Sequence, residues 1–292
     1  IQKARSLYAQ KYFSMEKFKV LNEITSLYAS QEDRSKQALA SGDTTLEQVG
    51  NDMTALMDAQ SQTRQEERSL LQTNHDLDSL LGLSPSVAIM PKKLIDPPIP
   101  DDYTVHKALE TIIKRRPDLV ALQAAYQSQE ETLYKAVLEQ FPSISIGFNR
   151  ARDTSDVHTV GLSVTIDLPI FNRNRGEIAI QSATRDQLRQ EYQARLDQTH
   201  AEAQALWQQT KLLVTQINDL RIQIPQLESM ADKARKSYVK GNFSVLSYIA
   251  VQNGLLAKKL EFLDLQQSLW TNRIAMDTLL AWPILPQPSG KG

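Results

Sequence analysis

The chain has no cysteine among its 292 residues. That excludes a disulfide framework, a thiolate metal site and a cysteine nucleophile, and it is compatible with an oxidising compartment. Charge of one sign is lacking too: 33 Lys and Arg stand against 34 Asp and Glu, a formal net charge of -1. Phosphate backbones demand a basic surface, so nucleic acid is not expected as a partner. No apolar run is long enough for a membrane-spanning helix. There is no P-loop and no dinucleotide fingerprint. The four histidines, His75, His106, His158 and His200, are scattered without ligand spacing. Met53 and Met57 stand at i and i+4, where a metal site is imaginable, but filling a core is the expected role. No catalytic residue, no metal site and no cofactor are expected, and the chain does not read as an enzyme. A signal peptide is also missing. The sequence opens at Ile1 inside a helical pattern, which leads us to expect that a leader and more precede it.

What is present is long helices. Positions Leu196, Thr199, Ala203, Leu206, Thr210, Leu213, Ile217, Leu220, Ile224, Leu227, Ala231, Ala234 and Tyr238 step alternately by three and four. A mean step near 3.5 is the seam of a left-handed supercoil. After Lys240-Gly241-Asn242 the step resumes at Leu246, Ile249, Asn253, Leu256, Leu260, Leu263, Gln267, Trp270 and Ile274. The pattern predicts an antiparallel coiled hairpin from Gly176 to Ala281. Its first helix would be about 95 Å long, far beyond what a globular core needs.

The N-terminal part follows the same plan. A helix is expected to about residue 40, through Leu7, Tyr8, Tyr12, Phe18, Leu21, Ile24, Leu27 and Tyr28. Ser41-Gly42-Asp43 stops it, Thr44 or Thr45 can cap the next, and that helix runs through Val49, Met53, Leu56, Leu70 and Leu77 to Gly82. At an offset of 199, Gly42 falls on Gly241, Leu46 on Val245, Leu56 on Leu255 and Leu70 on Leu269. The chain therefore reads as an internal repeat whose first copy is incomplete. By this reading 1–84 is the second half of repeat 1 and 85–100 a stiff linker with Pro91, Pro97, Pro98 and Pro100. Repeat 2 spans 101–285, with short helices at 104–140, a β-hairpin at 142–169 and the long helical hairpin at 174–281. A tail, 286–292, closes the chain. In repeat 2, Pro117 at a first helical position and Asp118 at the positive end of the dipole open a helix to about Gln140.

The only strand signals lie between Phe141 and Leu168. Ile144, Ile146 and Phe148 alternate with Ser143, Ser145, Gly147 and Asn149. Val160, Leu162, Val164, Ile166 and Leu168 alternate with Gly161, Ser163, Thr165 and Asp167. Ala151 to Val157 is read as the connection. Such a hairpin more often belongs to a soluble sheet. Here the chain offers no further strands, and an isolated hairpin is marginal in water. Strands of this length span a bilayer when tilted. One face would meet lipid and the other a watery lumen, with Phe141 and Phe171 beside Pro142 and Pro169 at one end.

These residues resemble the TolC-like outer-membrane efflux protein family over essentially the whole chain. The markers are Arg116-Pro117-Asp118-Leu119, Phe141-Pro142-Ser143-Ile144-Ser145, Leu168-Pro169-Ile170-Phe171 and Leu80-Leu81-Gly82-Leu83. The tips Ala40-Ser41-Gly42-Asp43 and Tyr238 to Ser244 complete the set. Pro169 to Ile178 is most similar to the heavy-metal, cobalt-zinc-cadmium type branch. The resemblance implies a mainly α fold with a small β part. Long helical hairpins would form a periplasmic α-barrel, and the β-hairpin would contribute to a transmembrane β-barrel in outer-membrane lipid. It implies a homotrimer that works as a passive conduit with a periplasmic adaptor and an inner-membrane resistance-nodulation-division pump. One strand pair per chain falls short of the family's two, so the start of repeat 1 is expected outside this sequence.

The resemblance also assigns roles. Ser41, Gly42, Asp43, Lys240, Gly241, Asn242 and Phe243 would touch the adaptor. Some relatives constrict the pore with acidic residues just beyond the tip glycine. The matching positions in copy two are Ser247 and Ala250, so Glu47 and Asp52 of copy one are the acidic candidates. Pro225 should kink the long helix and let it close the aperture. A conduit for drugs or solvents is the rival within the family. A periplasmic adaptor or a soluble coiled-coil scaffold are rivals outside it. An adaptor would carry compact β domains beside one hairpin, and a scaffold would leave the Val160 to Leu168 alternation without a purpose.

Overall fold

The computed structural model describes residues 1–84, 87, 89–152, 154, 158–168 and 172–281. In chain order these form α1 (Gln2–Ala40), α2 (Leu46–Leu81), α3 (Asp102–Glu110), α4 (Ile112–Arg115), α5 (Pro117–Leu138), β1 (Ser143–Arg152), β2 (His158–Asp167), α6 (Arg175–Val239) and α7 (Val245–Leu279). The expected aromatic end at Pro169 and Phe171 and the tail 286–292 lie outside the described residues. No helix among the described residues is long and apolar enough to cross a membrane.

The chain divides into two compact units. The first joins 1–101 with the chain from Ala203 onward. In it α1 packs on α2 and on α7. The long hairpin closes through an apolar cluster of Leu213, Ile217 and Leu269, flanked by Val214, Phe262 and Leu265. Every expected seam position from Ala203 to Tyr238 is buried or half-buried. Thr210 survives in the seam because its hydroxyl donates to the Leu206 carbonyl at 2.8 Å. On α7 the expected seam is one residue too long: Leu246 is 52% exposed, and burial begins at Ile249.

Where two hairpins meet, polar contacts link α1 to α7. Arg5 pairs with Asp277 at 2.9 Å, Lys17 donates to Gln267 at 2.6 Å, and Asn253 donates to the Tyr28 hydroxyl at 2.8 Å. The linker is strapped to the same helices. The Tyr8 hydroxyl accepts from the Lys92 amide at 2.8 Å, Asp96 accepts from Gln266 at 2.7 Å and from Arg221, and the Pro98 carbonyl accepts from Arg273 at 2.6 Å. A proline-rich segment has few amides to donate, so side chains of the helices must hold it.

α2 ends at Gly82, whose φ of 65° is left-handed, and the Leu83 amide returns to the Asp78 carbonyl at 2.9 Å. At the offset of 199 the end of α7 places Ala281 in the same conformation, φ 48°. An L side chain there costs about 1 kcal/mol. Ala281→Gly is therefore expected to stabilise the folded chain by roughly that amount, read as a higher midpoint of thermal unfolding.

The second unit spans 102–202. Its two strands form one antiparallel ladder from Ser143 opposite Asp167 to Arg152 opposite His158. β1 thus runs two residues further than the alternation suggested, because Ala151 and Arg152 pair with Thr159 and His158. The turn into α6 uses Arg173 and Asn174 at φ 46° and 53°. Asn174 tolerates it because its side-chain amide donates to the Ala136 carbonyl at 2.9 Å and to Glu139 at 3.1 Å, tying the turn to the end of α5.

Candidate functional site

The two helical tips are built alike. At the first, Gly42 (φ 78°) lets its amide reach the Leu39 carbonyl at 3.1 Å and the Asp43 amide reach Ala38 at 2.8 Å. At the second, Gly241 (φ 75°) bonds Tyr238 at 2.9 Å and the Asn242 amide bonds Ser237 at 3.0 Å. Both are left-handed helix stops with the same pair of returning bonds. Three residues on, the next helix is capped in the same way. Thr45, not Thr44, accepts from the Gln48 amide at 3.2 Å, and Ser244 from the Ser247 amide at 3.1 Å. Ser41, Asp43, Lys240 and Asn242 are exposed, and Phe243 is half-buried. The Ser41 hydroxyl donates to Asp43 at 2.7 Å, which fixes the first tip's polar face.

A residue that sequence reading missed ties the tips together. Arg34 of α1 lies over the Tyr238 ring, 5.3 Å from its centroid, and donates to the Tyr238 hydroxyl. Tyr238 in turn stacks on Tyr248, with centroids 5.0 Å apart and planes at 9°. Tyr238 was visible as part of the tip motif. Nothing in the sequence singled out Arg34 from other exposed helical arginines.

The aperture candidates separate in space. Glu47 is exposed in the first turn of α2, and Ser247 is exposed in the first turn of α7. Asp52 instead is buried against α1, where its Oδ1 accepts from Gln31 at 2.9 Å and Gln48 at 3.0 Å. Met53 and Met57 correct an expectation. They do not fill a core but are 50% and 57% exposed on the outer side of α2. Among the described residues no group of three or more His, Cys, Asp or Glu could hold a metal ion.

α6 runs unbroken through Pro225. The ring removes the donor that the Arg221 carbonyl would have received. Ile224 and Pro225 line an apolar groove with Val20, Phe262 and Leu263.

In the strand pair, register gathers the large apolar side chains on one face. Ile144 opposes Ile166, Ile146 opposes Val164, and Phe148 opposes Leu162 on one side. On the other, Ser143 opposes Asp167, Ser145 opposes Thr165, Gly147 opposes Ser163, and Asn149 opposes Gly161. The Ser143 hydroxyl donates to Asp167 at 3.2 Å, and the Ser163 hydroxyl to the Gly147 carbonyl at 3.2 Å. The apolar side chains from Ile144 to Leu168, Val160 included, are between 54% and 83% exposed. Arg150, opposite Val160, shares their face at the far end of the hairpin. An arginine is tolerated at the rim of an apolar band because its stem can carry the charge outward.

The Arg116 motif has a structural task. Its guanidinium clasps Asp118 with two bonds of 2.9 and 2.5 Å and gives a third, at 3.0 Å, to buried Thr199 of α6. Leu119 beside it is fully buried. The hydrogen bonds from Arg116 hold the Asp118 carboxyl below its usual range, and Asp118 in return raises the guanidinium. A depressed carboxylate stabilises the fold fully above its unfolded pKa and loses that contribution as pH falls through the folded value. Unfolding of the wild type should therefore ease below about pH 4. Asp118→Asn should lose part of that acid dependence, read from denaturant midpoints across pH.

Two-sided strands, matched helical tips and very long coiled helices define a class by fold: long helical hairpins joined to an amphipathic β-hairpin. Its sequence agrees. Residues 108–281 match the family model described as outer membrane efflux protein, and the chain belongs to that family. An outer-membrane location follows from the membership. Among curated relatives, the cation efflux system protein CusC of Escherichia coli K12 is 24% identical over 179 residues, 58% of this chain and 39% of CusC. The probable outer membrane lipoprotein SilC of Salmonella typhimurium is 20% identical over 290 residues, 93% of this chain and 62% of SilC. The chain thus spans about two- to three-fifths of the length of these relatives. The outer membrane protein VceC of Vibrio cholerae shares the fold, with a TM-score of 0.78 at 16% identity, over 96% of this chain and 69% of VceC.

Proposed function

We propose that the chain is a subunit of an outer-membrane conduit in a tripartite efflux system, passing cations outward from a pump and its adaptor. The observation that carries this is the strand pair, whose large apolar side chains on one face are exposed, while its opposite face carries Ser, Thr, Asn, Asp and small residues only. An apolar band of this kind is satisfied by lipid once strands of several copies close a barrel, since a barrel leaves no edge unpaired. Cation cargo rests on the relative CusC, a cation efflux system protein, and on Pro169 to Ile178. The pathway needs no tight metal site, because cargo must leave it. The tips at Gly42 and Gly241 meet the adaptor, and exposed Glu47 is the acid available to an aperture.

The test is growth of a strain lacking the intact gene on zinc, cobalt, cadmium, copper, silver and lipophilic drugs. Selective sensitivity to metals is expected. Sensitivity to drugs alone would keep the conduit and discard the cargo.

Pro225 belongs to the same reading. It supplies the bend by which α6 closes the aperture. Restoring the missing hydrogen bond with Pro225→Ala can stabilise a straight helix by up to about 3 kcal/mol. The expected result is a higher closed-state conductance in planar bilayers and a leak that no longer needs the pump. Unchanged conductance and unchanged pump-dependent opening would remove the gating role.

A further inference from the structure

Resting on the conduit reading, we infer that the far end of the β-hairpin holds a phosphate-bearing lipid headgroup through Arg150, Arg152 and His158. Register puts all three on the apolar face. Arg150 stands opposite Val160 and Arg152 opposite His158, the next two rungs of that face beyond Phe148 and Leu162. All three are exposed. The arginines stand two residues apart, so the pleat turns both to the same side. The other face carries none of this charge. Its rungs at the same end, Asn149 with Gly161 and Ala151 with Thr159, are neutral, and its charged residue, Asp167, lies at the opposite end of the ladder.

Height decides what the basic rungs meet. On the same face, exposed Leu168 lies below and His158 above. The chain between them is about 33 Å long, at about 3.3 Å for each residue. Tilted by about 40°, it rises about 25 Å, the height of the apolar band of a transmembrane barrel. The helices α5 and α6 adjoin the ladder at the end where Ser143 opposes Asp167. With those helices on the periplasmic side, as the conduit reading has them, the rung of Arg152 and His158 reaches the outer boundary of lipid and water. Arg150 sits one rung lower, and its stem is long enough to lift the guanidinium toward the same level.

Chemistry selects the ligand. A guanidinium presents five donors in a rigid fork that matches phosphate oxygens, and an imidazole adds a further donor. Arg152 and His158 already interact with neighbours, and the fork has donors enough for a second partner. At the edge of the apolar band the groups within reach are headgroup phosphates. The apolar rungs then take acyl chains, and the basic rungs take the phosphate above them. Cation cargo suits the same arrangement. Arginines on the lumen face would repel it, whereas on the lipid face they stand off its path.

The test uses the full-length protein, purified in detergent, with native mass spectrometry of its oligomer. The probe is an acylated glucosamine disaccharide bisphosphate, beside the same glycolipid with its phosphates removed. The wild type is expected to retain the bisphosphate form about tenfold more than the dephosphorylated one, the difference that one or two charge-assisted hydrogen bonds supply. Arg150→Gln with Arg152→Gln should abolish that preference. Lys233→Gln, at an exposed cation of α6, should keep it. Adding Asn149→Arg to the double variant returns one positive charge but aims it at the lumen, and should not bring the preference back. Equal retention of the two glycolipids by the wild type would overturn the inference without recourse to any variant. So would an unchanged preference in the double variant, rescue by Asn149→Arg, or displacement of the lipid by inorganic phosphate alone, which marks a plain anion site. Each of these outcomes leaves the conduit standing. A full-length protein that stays in solution without detergent would strike the conduit reading and this one together.

Discussion

Val164→Arg is expected to remove the protein from the outer-membrane fraction and to leave cells as sensitive to cargo as a strain without the gene. Val164 sits midway along β2 opposite Ile146, inside the apolar face. An arginine at the bilayer midplane of a strand costs about 2–4 kcal/mol. Every copy in a ring carries the same change, so the cost recurs with each subunit. The neighbouring residue supplies the contrast. Thr165 points to the opposite face, across from Ser145, where an arginine meets water. Thr165→Arg should therefore insert normally and alter conductance or ion preference at most. The measurement is the amount of each variant in outer-membrane fractions beside the growth assay. If the two variants behaved alike, whether both inserting or both failing, the faces would not be lipid and lumen.

The same strand pair shows what a sequence can carry. Alternation has a period of two, so one residue's face fixes that of all its neighbours, and the ladder only had to confirm register. Tips and helix ends were legible for a similar local reason. Gly42, Gly82 and Gly241 stand where the backbone must turn left-handed, and that demand is met within a few residues of chain. Reading failed where local pattern serves two partners. Met53 and Met57 share the 3.5-residue rhythm of α2 with Val49 and Leu56, yet one set faces α1 and the other faces outward. A helix with neighbours on two sides shows two apolar stripes, and periodicity alone cannot say which is filled inside the chain. Leu246 failed for another reason: it stands two residues beyond the cap at Ser244, where the helix has only begun. Long-range polar contacts were also hidden. Asp52 reads as a surface acid beside a tip, but Gln31, some twenty residues away in sequence, supplies a donor that lets it be buried. Arg116 looked like a helix-opening motif, and its third bond to Thr199 explains why a threonine stands at a seam position in α6.

At the second tip the expectation is a graded loss. Gly241→Asn should retain efflux, Gly241→Ala should weaken it, and Gly241→Val should reduce resistance to that of the strain lacking the gene. The order follows from backbone conformation. At φ 75° a β-carbon strains the chain by about 1–2 kcal/mol, asparagine suffers least, and a β-branched residue suffers most. Nothing lies within 4 Å of where that β-carbon would sit, so no neighbour in the chain resists it. The strain acts on the Schellman bonds to Ser237 and Tyr238 and so on the shape of the exposed tip. Gly42 has the same geometry and the same open space, so Gly42→Val should follow the same order if both tips meet the adaptor. Oligomer content and outer-membrane level of each variant separate docking from folding: both should stay near wild type while resistance falls. Cross-linking of the tips to the adaptor should fall in the same order as resistance. A Gly241→Val protein that assembled normally and kept full efflux would show that the tip's shape is not what the adaptor reads.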